Sequence, residues 1–250
     1  MVDFHTHILF DIDDGAKSLE DSLQLLNLQA NQGVKSVVLT PHFYPRLNVL
    51  KEYVMKRNEH MLILENAITK LDLDIKILKG SEVYFSNDLL DLDLRDLVIE
   101  NTDYILIEFS SKMMTNTLIS QLQGIISKGY IPILAHIERY PFFVDNSQLL
   151  VDLIEVGVLT QVNAKTFLDK QHHKWLKAAV KHNLVHLIAS DTHSMDKRPP
   201  NLKKGLDEVE SRFGSEFKEY LLTNARKMLD NEIIEVYQPS KINKVLGILL

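Results

Sequence analysis

Seven short runs rich in Val, Ile and Leu recur along the chain, and a helical pattern follows each of them. They cover 2–5, 36–40, 75–79, 104–108, 131–135, 158–162 and 186–190. The runs alternate little between apolar and polar residues, as parallel strands buried on both faces do. Between them the spacing is helical. Leu19, Leu23, Leu26 and Ala30 lie on one stripe, with Ser18 and Asp21 placed as a capping box and Gly33 as a stop. A longer helix is expected over 48–71 with Asn48 as its cap, another through Leu118, Leu122 and Ile125 to about Gly129, and another through Leu202, Leu206, Val209 and Phe213 after Pro199-Pro200. Strand–helix alternation at this pitch requires a parallel sheet, open or closed into a barrel.

The residues that end the runs favour the barrel. His5 and His7 follow the first, His42 the second, Glu82 the third, Glu108 the fourth, His136 the fifth, Asn163 the sixth, and Asp191 and His193 the seventh. In a β/α barrel the carboxyl ends of the strands share one rim, where active sites of that fold are built. An open sheet would string the same side chains along an edge, too far apart to share ions. The fold class expected is therefore α/β, a seven-stranded TIM-barrel-like (β/α) barrel. With no repeat, low-complexity segment or Gly/Ser linker, residues 1–250 are read as one domain, with 233–250 as a C-terminal tail whose apolar end (Val245 to Leu250) docks as a strand or helix or meets a second subunit.

Taken singly, each rim residue has an ordinary explanation: Glu108 as a helix N-terminal charge, Asp191 as a cap. Together they form a ligand set. Alternate residues of an extended segment point the same way, so His5 and His7 aim at one point. His60, His172, His173, His182 and His186 fall away from the rim and are read as surface or strand-start residues, and Asn163 as a supporting or structural residue. Nitrogen and oxygen ligands without sulfur suit Mn, Fe or Zn, and roughly nine such groups imply two or three ions. Clustered divalent ions generate a bound hydroxide at neutral pH and clamp attacking and leaving oxygens, an arrangement suited to in-line displacement at phosphorus. Arg139 and Arg198 sit in rim loops from which a guanidinium fork reaches phosphate, and Arg46, after His42, is a third candidate for substrate binding. Glu138 is expected to pair with Arg139.

Composition removes other chemistries. There is no cysteine, hence no thiolate ligand and no cysteine nucleophile. A net charge of −6 offers no footprint for nucleic acid. No apolar run approaches the roughly 20 residues of a membrane span. No charged leader precedes the first motif, and the expectation is a cytoplasmic protein without membrane insertion.

His5-Thr6-His7, Thr40-Pro41-His42, Gly80-Ser81-Glu82, Ala135-His136 and Ser190-Asp191-Thr192-His193 resemble the successive motifs of the polymerase and histidinol phosphatase (PHP) superfamily, whose members are distorted seven-stranded barrels with a trinuclear metal site. Within it, Ile12-Asp13-Asp14-Gly15-Ala16, Pro41-His42-Phe43-Tyr44, His136-Ile137-Glu138-Arg139-Tyr140 and Asp191-Thr192-His193 with Arg198-Pro199 resemble the bacterial capsule and exopolysaccharide tyrosine phosphatases of the CpsB/CapC/YwqE type. The resemblance runs from residue 2 to about residue 215. It implies that His5, His7, Glu82 and Asp191 hold one ion, that Glu82 bridges to a second held by Glu108 and His136, and that Asp14, His42 and His193 serve a third. It singles out Asp14 from its neighbours, leaving Asp11 and Asp13 as turn-forming or supporting acids, and places Arg139 and Arg198 on phosphate. It implies Mn2+ as the metal and the phosphotyrosine tail of a membrane-associated autokinase as the substrate. The reaction expected is hydrolysis of a phosphotyrosine monoester without a phosphoenzyme, with His42 among the groups able to assist the leaving phenolate.

Three other readings compete. A histidinol-phosphate phosphatase, or another PHP-type phosphoesterase, would share the ions but need a pocket for a cationic amine. A nuclease or polymerase-associated editing module conflicts with the acidic composition. A metal-stabilised module that binds a kinase without catalysis would show no hydrolysis of aryl phosphates.

Overall fold

The computed structural model describes residues 1–110, 118–245 and 248–249. Strand β1 (Val2–Thr6) leads through the rim to helix α1 (Leu19–Asn31), then β2 (Ser36–Leu39), β3 (His42–Phe43) and α2 (Leu50–Lys70). There follow β4 (Lys76–Lys79), β5 (Glu82–Tyr84), β6 (Tyr104–Glu108), α3 (Leu118–Ser127), β7 (Ile131–Leu134), α4 (Pro141–Asp145) and α5 (Ser147–Glu155). The chain continues with β8 (Leu159–Asn163), α6 (Ala164–Leu168), α7 (His173–Lys181), β9 (Leu187–Ala189), α8 (Leu202–Phe213), α9 (Ser215–Leu229), and a hairpin of β10 (Lys244–Val245) and β11 (Ile248–Leu249).

The strands before the hairpin pair in parallel, in two runs: β1-β2-β4, and β3-β5-β6-β7-β8-β9. One parallel bridge, Thr6 to Thr192, links the first run to the end of the second. The second and third expected strands stand as β2 and β4, but past each the chain breaks and resumes as a short further strand, β3 and β5, in the other run, so no continuously hydrogen-bonded ring of seven strands forms among the described residues. The breaks have local causes. Pro41 has no N–H to give to a ladder. At Gly80 a Cβ would stand 2.9 Å from Val38 Cγ1, so β4 passes too close to its neighbour to carry a side chain there.

Even so, Phe4, Val38, Leu78, Leu106, Ile133, Leu159 and Leu187, drawn from seven strands, meet in one buried cluster. Val37, Leu39, Ile77, Ile105, Ile107, Val162 and Ile188 belong instead to the larger core that includes the helices. On β1, Asp3 and Thr6 stand opposite Val37 and Leu39, so three steps of one strand match two of its partner. This bulge turns Phe4 into the inner cluster, while Asp3 accepts a hydrogen bond from Gln29 of α1 and the next histidines reach the rim. The inner apolar layer thus lies beneath the carboxyl ends, and polar side chains occupy the level above it.

Ser18 and Asp21 form the expected capping box, and Gly33 adopts φ 83° after α1. Asn48 does not cap α2. Its Oδ1 accepts the N–H of Tyr44 at 2.8 Å, closing the 44–48 turn, and Val49 takes the cap position without a side-chain bond. In the tail, Ile234 joins the inner cluster and Ile242 the outer one, and Ile242 N donates to Ser147 Oγ at 2.9 Å. Leu246, Gly247 and Leu250 of the expected apolar end lie outside the described residues.

Candidate metal centre

Glu82, at the start of β5, is 1% exposed and has four imidazoles around it. His136 Nε2 lies 2.8 Å from Oε1, and His5 Nε2, His7 Nε2 and His42 Nδ1 lie 3.3, 3.1 and 3.2 Å from Oε2. Glu108 is on the same side, 3.6 Å from His136 Nε2 and 3.5 Å from His42 Nδ1. Asp191 Oδ1 is 3.6 Å from both His5 and His7 and 3.4 Å from His193 Nδ1. Asp14 Oδ1 closes the remaining side, 3.3 Å from His193 Nε2 and 3.6 Å from His42 Nε2. All nine expected ligands therefore come together.

Hydrogen bonds behind the rings set their orientation. His5 Nδ1 donates to Gln161 Oε1 at 3.1 Å and His7 Nδ1 to Asp13 Oδ2 at 2.6 Å, which turns both Nε2 atoms toward the cluster. Gln161 Oε1 also accepts the N–H of His136, and Gln161 Nε2 donates to Asn163 Oδ1 at 2.7 Å. Asn163 Nδ2 in turn donates to Asp191 Oδ2 at 2.9 Å, so the one rim residue that is neither His nor acid holds one of the acids. His136 and Asp191 both adopt left-handed backbone, φ 35° and 56°, where a strand ends abruptly and its last side chain turns inward.

The corner before Glu82 is held from the outside by α2. Arg57 is 1% exposed, and its Nη1 lies 3.1 Å from Gly80 O, 3.0 Å from Ser81 Oγ and 2.7 Å from Asp96 O. Tyr53 Oη is 2.8 Å from the same Ser81 hydroxyl and 2.9 Å from Pro41 O. The helical period alone gave no reason to single out either residue, nor Gln161. In Gln161 a signal was present: with Asn163 it puts two amides at alternate positions of an otherwise apolar run.

The arginines divide. Arg139 pairs with Asp191 Oδ2, and Arg198 reaches Asp14 Oδ2 at 2.8 Å and Asp191 Oδ2 at 3.6 Å. Arg46 is different: it is exposed and bonds Asp88 at 2.8 Å, and none of the candidate ligands is its partner. Glu138 also departs from expectation. Its Oε1 accepts from Asn163 N at 3.1 Å and Thr166 Oγ1 at 2.8 Å, serving the turn after β8. The five other histidines stay out of the cluster. His60 donates from Nδ1 to Phe10 O, and His186 is buried rather than exposed, its Nδ1 accepting from Thr160 N.

The electrostatics call for cations. Burial would raise Glu82 and Asp191, yet His5 and its neighbours hold both below the usual carboxylate range. Burial would lower His7, but Asp13 and Glu82 raise it well above its ordinary value. Burial and the nearby Glu82 push Glu108 up to about 8, and burial and His7 take His42 down to about 4. Buried His42 Nδ1, His136 Nδ1 and His193 Nε2 have no hydrogen-bond partner. Within 4.8 Å of one another lie donor atoms of His7, Asp14, His42 and His193, of His5, His7 and Glu82, and of His42, Glu82 and Glu108. The His42 and His193 nitrogens face the carboxylates of Glu82 and Asp14, a pairing that fits hard or borderline divalent ions bound by nitrogen and oxygen.

Comparison with known proteins bears on what such a site belongs to. Residues 1–230 match the family model for capsular polysaccharide synthesis, CpsB/CapC. The chain belongs to this CpsB/CapC family. The matched span holds every candidate ligand from His5 to His193 and both rim arginines. The tyrosine-protein phosphatase CpsB of Streptococcus agalactiae is 35% identical over 246 residues, 94% of this chain and all of that protein. The tyrosine-protein phosphatase YwqE of Bacillus subtilis is 32% identical over 254 residues, 99% of each chain. A crystal structure from a study of YwqE from Bacillus subtilis and CpsB from Streptococcus pneumoniae, described as unique metal-dependent tyrosine phosphatases, superposes with a TM-score of 0.89 at 28% identity, covering 98% of this chain and all of that one. Members of the family thus share the whole fold with this chain, not one motif.

Proposed function

We propose that this chain is a metal-dependent protein-tyrosine phosphatase of capsule or exopolysaccharide synthesis, acting in the cytoplasm on the phosphotyrosine tail of a bacterial autokinase. The observation that carries this reading is a buried carboxylate, Glu82, ringed by four histidines on the rim that also bears Arg139 and Arg198. Mn2+ is the metal of choice; His5, His7, Glu82 and Asp191 would hold one ion, Glu82, Glu108 and His136 a second, and Asp14, His42 and His193 a third. Residues 1–250 are taken as one domain in which the two strand runs curve into a distorted seven-stranded barrel. The inner cluster drawn from seven strands supports that closure.

The ions, when bound, supply an activated water and polarise the phosphoryl group. Arg139 and Arg198 take the phosphoryl oxygens in bidentate fashion and keep them in place as charge develops. Attack at phosphorus forms one P–O bond and breaks the bond to the aryl oxygen. The electron pair leaves with the phenolate, which collects a proton to give tyrosine and inorganic phosphate. A phenolate of pKa near 10 departs with little help. His42, neutral at pH 7, serves as a ligand rather than as the proton donor.

The test is metal content measured together with turnover of phosphotyrosyl peptides and of histidinol phosphate. Mn-dependent hydrolysis of the peptide, abolished in His136→Ala and Asp191→Ala proteins that remain folded, is the expected result. Retained turnover in either variant with metal present, or preference for histidinol phosphate, would overturn the assignment.

A further inference from the structure

Beside the centre is a groove of about 600 Å³ whose lining includes Tyr44, Leu47, Tyr84, Phe85 and Ser110. Its walls are the ends and immediate continuations of the centre's own strands. Tyr44, Tyr84 and Ser110 each stand two residues beyond a candidate ligand, His42, Glu82 and Glu108 in turn. Strands β3, β5 and β6 are hydrogen-bonded neighbours, and Tyr84 pairs in register with Glu108. Within β5, Glu82 and Tyr84 share a face, so the surface that carries this ligand runs on into the groove. The rings confirm the continuity: Tyr44 is 5.3 Å from His42 and 5.4 Å from Tyr84, centroid to centroid.

The groove's chemistry differs from that of the centre. Two half-buried phenols, Phe85 and Leu47 supply an aromatic and aliphatic lining. The charged side chain in it, Arg46, is neutralised at the outer end by Asp88. A neutral aromatic ring fits such walls, stacking offset or edge-on against tyrosine. An anionic phosphate belongs to the cations and arginines next door.

We propose that Tyr44 and Tyr84 form the subsite that receives the aromatic ring of the substrate tyrosine while its phosphate lies on the metal centre. The proposal rests on the phosphatase reading above. It makes the two tyrosines binding residues that distinguish aryl from alkyl phosphate esters, and it gives Arg46 the place of a mouth residue, where the peptide leaves the groove.

The test uses the Mn2+-loaded full chain and two non-hydrolysable probes, benzylphosphonate and methylphosphonate, which share the phosphoryl-like head and differ in the ring. Burying the ring should make benzylphosphonate bind roughly tenfold or more tighter in the parent protein. Tyr44→Ala and Tyr84→Ala should each shrink that ratio to about threefold or less while methylphosphonate affinity stays within about twofold, and Tyr44→Leu should keep part of the preference. An unchanged ratio in both alanine variants would overturn the subsite. So would an equal loss for both probes, because the tyrosines would then be shaping the metal centre. Ring preference without hydrolysis of phosphotyrosyl peptide would remove the phosphatase reading and leave the aryl subsite standing. Hydrolysis without ring preference would do the reverse.

Discussion

Asp13 Oδ2 lies 2.6 Å from His7 Nδ1 and also accepts the backbone N–H of His42 at 3.0 Å, so one oxygen joins two rim segments that each carry a candidate ligand. Its other oxygen accepts the N–H of Gly15 at 2.9 Å. Burial would raise this carboxyl, but His7 and these N–H donors hold it at about 2. Replacing it releases the tautomer and angle of His7 without removing a ligand. Asp13→Ala should weaken metal binding roughly 10–100-fold, with activity recovering as metal is raised. Metal titration followed by calorimetry checks this; unaltered affinity would reduce Asp13 to a turn residue.

Arg139 is predicted to act on phosphate through its guanidinium fork. Arg139→Ala should weaken competitive inhibition by inorganic phosphate by about 10–100-fold at equal metal content, the range for losing hydrogen bonds to a charged group. Arg46→Ala should leave phosphate inhibition nearly unchanged, since Arg46 pairs with Asp88 away from the candidate ligands, whereas Arg139 and Arg198 pair with acids of the centre itself. Equal effects from the two variants would contradict this division of roles.

Gly15 packs directly on the metal-site strand. A Cβ there would stand 1.9 Å from His7 O and 2.6 Å from His7 Cβ, and the obstacle is backbone that cannot swing aside. Gly15→Ala should cost on the order of 1–3 kcal/mol of stability and disturb metal binding with it. Denaturant unfolding and metal content, measured on the same sample, test whether the two losses travel together.

His186 gives a pH prediction away from the centre. Its Nδ1 accepts the N–H of Thr160, its Nε2 is buried without a partner, and burial lowers its pKa to about 4. The unfolded chain binds this proton near 6.5, so the folded state is favoured fully above that value and loses the advantage as pH falls from about 6.5 to about 4. The amount is on the order of 3 kcal/mol. Urea unfolding of metal-free protein at about pH 7 and about pH 4.5 should show a smaller acid loss in His186→Gln than in the parent. Parallel losses would mean that other groups dominate.

The strand-end positions were readable from sequence because each follows a buried apolar run, where a charge stands out. That is why His5, His7, His42, Glu82, Glu108, His136, Asp191 and His193 could be picked out without knowing their partners. Asp14 was singled out only by the family resemblance, since nothing in its spacing separates it from Asp13. The division of two strands at Pro41 and Gly80 was not anticipated. The apolar runs stop at Thr40 and Lys79, and the short strands beyond them begin on His42 and Glu82, which no apolar pattern marks as strand. Arg57 looked like one more polar helix residue, because helical period cannot tell that it meets the carbonyls of Gly80 and Asp96. Arg46 turns away from the candidate ligands for a related reason. Proximity in sequence to His42 says nothing of which way a loop side chain turns, and Asp88, forty-two residues on, decides it.

That Arg57 has no carboxylate partner among the described residues ties the outside of the molecule to its chemistry. Unwinding α2 near Arg57 would strip a buried cation of the carbonyls at Gly80 and Asp96, and the same event would free the Gly80–Ser81 corner from which Glu82 projects. Fluctuations of the helix and of Glu82 are therefore expected to form one cooperative opening rather than two, and amide exchange in α2 should slow when the centre is loaded with metal. A peripheral helix becomes a reporter of occupancy at the corner it braces.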